Sequence, residues 1–226
     1  YWAKNVLTWR DAPSPVLAGA DLGLVVEPDR GWLHTKGEYT LVNRTRDTLR
    51  QVPLSGGSHW KKLAWTMDGD SCKPEDRARL YVFTPARPLA PGDRVRIGFE
   101  FEGRYPDGIS KKQAGAGEYV LPSGVVLTGF STTSFVPIVG YRAEVGVEKD
   151  KNKADPRVYP DDYWRRVLPA SLPMFSGWVD TKIRVTGPER LQHNVTGVMV
   201  SEHVEGGRRT TEWHSDAPVR AFNVIL

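Results

Sequence analysis

Residues 22–41 read LGLVVEPDRGWLHTKGEYTL. Leu22, Leu24 and Val26 recur at every second position, the period that sends alternate side chains of a strand to one face. The pattern breaks at Glu27-Pro28-Asp29-Arg30-Gly31, where proline and glycine supply turn geometry. It resumes with Leu33, Thr35, Gly37, Tyr39 and Leu41 on one side of a second strand. Two such strands joined by a loop of about five residues make a β-hairpin.

The same signal recurs downstream. Val95, Ile97, Phe99 and Phe101 alternate with Arg94, Arg96, Gly98, Glu100 and Glu102, directly after the turn-forming run PLAPGD. Further strands are expected over 79–83, 119–121, 125–127, 179–185, 195–202, 209–214 and 219–225. Helical patterning is confined to Pro160–Val167, where acids precede bases in the order that suits a helix dipole. Nothing repeats at a fixed period, which argues against propellers and solenoids. The expected class is all-β: large antiparallel sheets or a β-sandwich with minimal helix, built as a single domain over residues 1–226.

The chain has 226 residues, 39% hydrophobic and 26% charged, the composition of a globular chain long enough to bury a core unaided. A formal charge of +4 is mild, and even the densest basic run, Lys149–Lys153, contains Asp150. Nucleic-acid binders gather positive charge on one face beside a reading motif, and no such motif is present, so no nucleic-acid partner is expected. No apolar run reaches the roughly 18 residues of a membrane span. Cys72 is the single cysteine, which excludes an internal disulfide, and its polar loop DGDSCKPED supplies no activating base. A first residue Tyr1 and an apolar last run, VRAFNVIL, read as cuts through a longer polypeptide. The run Glu148–Arg157, rich in charge and nearly free of apolar anchors, reads as a mobile loop.

Chemistry-bearing constellations are sparse. The five histidines, His34, His59, His193, His203 and His214, include no pair at zinc-helix spacing, and HExxH is missing. His203 and His214 lie on neighbouring candidate strands and could approach each other. His214-Ser215-Asp216 has triad residue types, but adjacent strand residues point to opposite faces and cannot relay a proton. No nucleophile elbow, phosphate loop or dinucleotide fingerprint occurs. No catalytic residue, metal ligand or cofactor is therefore assigned to this chain. Of the eight tryptophans, Trp60 and Trp65 in HWKKLAW are the pair that could stack on a sugar, whereas Trp32, Trp178 and Trp213 sit inside strand patterns. Asn43-Arg44-Thr45 and Asn194-Val195-Thr196 match the glycosylation sequon, a pattern short enough to arise by chance.

Several segments in order resemble the N-terminal β domain of the zinc aminopeptidase family that includes aminopeptidase N and leukotriene hydrolase. Gly37-Glu38-Tyr39-Thr40-Leu41-Val42-Asn43 matches that family's G-x-Y-x-L-x-N strand. Pro88, Leu89, Gly92, Phe99, Phe101 and Gly103 match its PL-x-x-G strand, and DTKIRVTGPERLQHNVTGVMVSE matches the strand pair that ends the domain. Thr133–Tyr141, TSFVPIVGY, falls where the family has T-Q-F-E-P-x-x-A-R. Its P-x-x-G-Y ending, Pro137 to Tyr141, is more similar to a bacterial branch in which such a region is fused behind an ABC-transporter permease.

The resemblance carries expectations. Ser134, Phe135, Val136, Pro137 and Tyr141 would form a substrate rim between this domain and a following peptidase-like domain, with Phe135, Val136, Ile138 and Tyr141 exposed as an apolar patch. Val136 takes the place of the family's amine-binding glutamate and Ser134 that of its glutamine, so the amine anchor is lost. Zinc would belong to the following catalytic domain. The parent would be a hydrolase-like, membrane-associated protein carrying this soluble domain at the cell membrane, with the peptidase-like domain and a transmembrane permease region as partners. The competing reading is a carbohydrate- or peptide-binding β-sandwich, motivated by the tryptophans.

Overall fold

The computed structural model describes residue 9 and residues 12–57, 60–105, 118–128, 135–141 and 177–226. The hairpin is present: β1 (Val16–Glu27) and β2 (Trp32–Val42) pair antiparallel around a 3-10 turn at Pro28–Arg30. Gly31 closes that turn at φ +56, where an added Cβ would meet the Tyr105 carbonyl oxygen at 2.9 Å.

Next come β3 (Val52–Ser55), β4 (Trp60–Met67), β5 (Asp70–Cys72), β6 (Glu75–Arg77), β7 (Leu80–Phe83) and β8 (Arg94–Arg104). Then follow β9 (Tyr119–Leu121), β10 (Gly124–Thr128) and β11 (Ile138–Val139). The chain ends with β12 (Asp180–Pro188), β13 (Asn194–Val195), β14 (Val198–Glu205), β15 (Arg208–His214) and β16 (Asn223–Ile225). Among the described residues, helical backbone is limited to 3-10 turns; the candidate helix at 160–167 and the loop at 148–157 lie outside them.

Eight strands form one large sheet in the order β14-β15-β12-β1-β2-β8-β4-β5. Two four-stranded sheets, β13-β16-β10-β9 and β11-β3-β7-β6, complete the architecture. The inward rows of the large sheet are mainly apolar, with Thr35, Thr181 and Thr211 buried among them: Leu22, Leu24, Val26, Leu33, Tyr39, Leu41, Val95, Ile97, Phe99, Phe101, Ile183 and Val185 all belong to one buried cluster. That cluster continues through Val52, Leu54, Tyr81 and Phe83 of one small sheet and Val125, Leu127, Val195 and Val224 of the other. The class is all-β, as the period-two runs require.

Three expectations are corrected. The large sheet is mixed, because β1 pairs parallel with β12 from Gly19↔Asp180 to Val25↔Thr186. The strand expected over 195–202 is two: β13 and β14 belong to different sheets, and the chain switches at Gly197 (φ +112), packed so tightly on the His214 carbonyl that a Cβ would stand 2.4 Å away. The strand expected over 219–225 shrinks to β16, with Val219 forming an isolated bridge to Val179.

Candidate interdomain site at residues 135–141

The described part of TSFVPIVGY begins at Phe135; Ser134 lies outside the described residues. Phe135 and Val136 are wholly buried and Ile138 is 1% exposed, so the expected exposed patch does not exist. Phe135 meets the Phe222 ring edge-on at 5.9 Å, and both phenylalanines belong to the main core with Val136. Pro137 and Gly140 are also buried, while Val139 and Tyr141 are half-buried.

An irregular segment can be buried when its backbone polar groups find partners. Here β11 pairs with β3, Ile138↔Ser55 and Val139↔Leu54. The Tyr39 hydroxyl donates to the Pro137 carbonyl at 2.9 Å. The Ser55 hydroxyl donates to the Gly140 carbonyl at 2.7 Å, and the Gly140 N–H donates to the Pro53 carbonyl at 2.8 Å. Gly140 sits at φ +86, and Tyr141 turns onto a small second cluster with Leu80, Val82 and Trp9. Burial holds the Tyr39 hydroxyl neutral to well above its ordinary pKa, so it remains a donor.

The strand motif Gly37–Asn43 acquires a physical meaning in this geometry. A Cβ on Gly37 would stand 2.6 Å from Leu22 Cδ2 and 2.8 Å from Phe99 Cζ, so glycine admits both side chains. Tyr39 pins the 135–141 segment, and Leu41 fills the core. Asn43 Nδ2 donates to the Asp47 and Leu89 carbonyls, and the Asn43 carbonyl accepts from the Gly92 N–H. The second matching motif, Pro88-Leu89 with Gly92, is thus tied to the first. Asn43 is wholly buried, which removes it as a glycosylation acceptor in the folded domain.

Elsewhere each described histidine is occupied by its own neighbour: His34 by Glu100, His203 by Glu205, His214 by Glu212, and His193 by the Thr211 hydroxyl. His203 lies opposite Thr210 and His214 opposite Val198, so the two histidines do not meet. The Ser215 hydroxyl accepts from the Thr181 N–H, and no triad assembles at 214–216. No cluster of three metal-ligating side chains occurs among the described residues, so they do not fit a catalytic zinc. Cys72 is half-buried, with its thiol pushed up by burial, the opposite of an activated nucleophile.

The described tryptophans are mostly structural. Trp60 stacks on Phe101 at 4.0 Å and Trp65 packs against Tyr81 and Phe83. Trp178 is the one described tryptophan that is exposed, and Arg220 lies over its ring. The outward face of the large sheet holds a shallow trough of about 650 Å³ floored by Gly23, Ala64 and Gly98. Its rim charges pair with one another, Lys36 with Glu100 and Arg184 with Glu212, as on a water-facing surface.

No protein-family model matches the chain, and no curated protein is significantly similar to it. Solved structures do resemble it. The M1 zinc metallopeptidase of Deinococcus radiodurans superposes with a TM-score of 0.63 at 17% identity, covering 94% of this chain and 42% of that one. Aminopeptidase A of Legionella pneumophila, solved with aspartic acid, gives a TM-score of 0.56 at 12% identity, covering 97% of this chain and 22% of that one. The likeness is one of fold: this chain matches the N-terminal β part of M1 aminopeptidases and spans less than half the length of either relative.

Proposed function

We propose that this chain is a non-catalytic β domain that docks on a zinc-metallopeptidase-like domain and helps to shape the rim of its substrate site. The observation that carries the reading is the coverage: nearly the whole chain follows the β part of M1 peptidases, and that part is under half of the peptidase. The motif Gly37–Asn43 and the segment 135–141, which resemble the family separately, also meet through one buried hydrogen bond.

Burial of Val136 restricts how such a rim can act. Its side chain cannot touch a substrate, so the rim is offered by Val139 and Tyr141, the half-buried residues of the segment. The rim has no carboxylate where the family binds the substrate's amine, which argues against ordinary aminopeptidase specificity in the assembled protein. The P-x-x-G-Y ending supports placing the assembly in the permease-fused bacterial branch, at the cell membrane. Among the described residues no helix is long and apolar enough to cross a bilayer, so a permease would be a separate region.

Zinc titration of this chain with an aminoacyl anilide present tests the non-catalytic reading. The expected result is no stoichiometric zinc and no hydrolysis; one zinc per chain with turnover overturns it. A separately expressed peptidase-like domain of the same protein should bind this chain in trans. The sugar-binding alternative is not favoured, because Trp60 and Trp65 are committed to Phe101, Tyr81 and Phe83.

A further inference from the structure

Two loops at one end of the large sheet carry five arginines between them. Arg44, Arg46 and Arg50 belong to RTRDTLR, the loop that leaves β2, and Arg87 and Arg94 to TPARPLAPGDR, which leads into the neighbouring β8. Main-chain bonds lock the loops together: Asn43 with Asp93 and Gly92, and Leu49 with Leu89 in both directions. The buried Asn43 amide adds one bond to each loop, through the Asp47 and Leu89 carbonyls. The arginines therefore stand on one braced platform. All five side chains are exposed. Arg87 reaches Asp93 at 3.3 Å, whereas Arg44, Arg46, Arg50 and Arg94 have no ion pair among the described residues. Elsewhere many cations are held: Lys36 by Glu100, Arg184 by Glu212, Arg190 by Asp29 and Arg208 by Glu27. Asp47 and Asp93 are the acids of the two loops, and the basic surface ends at Asp68 and Asp70 of the β4–β5 turn.

Unpaired guanidinium groups in excess call for an anionic partner, phosphate above all, whose oxygens they bind in pairs. What else the loops display decides its kind. A protein partner is ordinarily anchored by large aromatic or aliphatic side chains at the centre of its interface. None of the six large hydrophobic residues exposed among the described ones is on these loops. Their exposed apolar residues are the small Ala86, Ala90 and Pro91. A single-stranded nucleic acid stacks its bases on aromatic faces, and neither loop contains an aromatic residue. A bilayer surface needs only positive charge on protruding turns. We infer that this end of the domain rests on the anionic phosphate surface of a lipid bilayer, with Arg44, Arg46, Arg50 and Arg94 facing the headgroups. The attraction acts through charge, so it weakens as salt shortens the screening length. The surface belongs to this chain and does not depend on a peptidase-like partner.

The test is cosedimentation of this chain with vesicles of phosphatidylcholine containing about 30% phosphatidylserine. Binding is expected at about 50 mM salt and its loss at about 500 mM, with none to phosphatidylcholine alone. The double variant Arg44→Gln/Arg46→Gln should lower the partition coefficient about 25-fold, at about fivefold per basic residue. Arg30→Gln/Arg104→Gln removes the same charge from exposed positions at the other end of β2 and β8. It should leave the partition coefficient within about twofold of the parent, because those positions lie beyond the screening length. Both variants alter only exposed side chains and should melt with the parent. No binding to the phosphatidylserine vesicles, or equal losses in the two double variants, overturns the proposal. So does a DNA duplex of about 20 base pairs that displaces the chain from the vesicles at equal phosphate, since the surface would then serve polyanions at large.

Discussion

The Tyr39 hydroxyl donates to the carbonyl oxygen of Pro137 at 2.9 Å, joining residues 98 positions apart inside the core. Proline's carbonyl lies just before the two-residue strand β11, where the ladder to β3 has not yet begun. Removing the hydroxyl leaves that carbonyl buried and unsatisfied, which costs about 1–3 kcal/mol. Tyr39→Phe should therefore lower the melting temperature by several degrees, at about 2–4 °C per kcal/mol for a chain this size. Thermal unfolding followed by circular dichroism measures it; an unchanged midpoint would mean the bond contributes nothing net.

The same hydroxyl has a signature in alkali. Burial raises its folded pKa well above 10.0, and Tyr81 is pushed up to about 12, chiefly by burial. Between the unfolded and folded values the unfolded chain has lost protons that the native chain keeps, so stability falls as pH rises. Urea midpoints should decline above about pH 10, less steeply in Tyr39→Phe than in the parent. Equal slopes would contradict the assignment.

Val136 occupies the family's glutamate position but has no exposed surface and packs in the core beside Phe135. An aspartate there would be a buried charge without a partner, among the most destabilising of substitutions. Val136→Asp should lose at least about 3 kcal/mol in denaturant titration. Val136→Thr, which keeps the shape and adds one hydroxyl, should lose less. A Val136→Asp protein that melts like the parent would restore the exposed-rim expectation that the fold corrects.

How much of this was legible depends on what each strand buries. β1, β2 and β8 bury one face and expose the other, and their alternation is plain in the sequence. β3 is buried on both faces and contains Pro53, so neither period nor propensity marks it. The β4–β5 hairpin did carry a signal: Asp68-Gly69, both at positive φ, is a two-residue turn of the favoured kind between Met67 and Asp70. The parallel pairing of β1 with β12 joins residues more than 150 apart and has no local trace. Pro137 and Gly140 read as a surface path because their backbone needs partners. The hydroxyls of Tyr39 and Ser55 supply them from distant strands, which no local pattern discloses.

His193 should give the domain an acid-sensitive component. Its imidazole is pushed down to about 4, first by burial and then by the nearby Arg209 charge. Nδ1 bonds to the Thr211 hydroxyl, while Nε2 is buried without a partner and faces Gly187. The unfolded chain takes up its proton near pH 6.5 and the folded one only near 4. Stability contributed by the neutral ring is therefore present above about pH 6.5 and lost as pH falls toward 4. The ring is only half-buried, so screening reduces the effect to on the order of 1–2 kcal/mol. His193→Gln should flatten the profile of stability between pH 4 and 6.5; an unaltered profile would assign the acid response elsewhere.

Glycines 37 and 23 lie on opposite faces of the large sheet and should respond oppositely to a methyl group. Gly37 is on the inward row between Leu22 and Phe99, and its Cβ would press within 2.6 Å of one and 2.8 Å of the other, with the Asp21 carbonyl at 3.0 Å. These atoms belong to a packed core on three adjacent strands, so relief requires strands or rings to shift. Overpacking of this kind costs typically about 1–3 kcal/mol. Gly23 is on the outward row, where a Cβ would meet only the Lys36 carbonyl at an ordinary 3.7 Å. There the methyl reduces the freedom of the unfolded chain without strain, a change that stabilises by about 0.4–1 kcal/mol. Gly37→Ala should accordingly lower the urea midpoint and Gly23→Ala should hold or raise it, with the slope of the transition unchanged in both. Loss of stability in both variants would mean that the outward trough is as tightly constrained as the core.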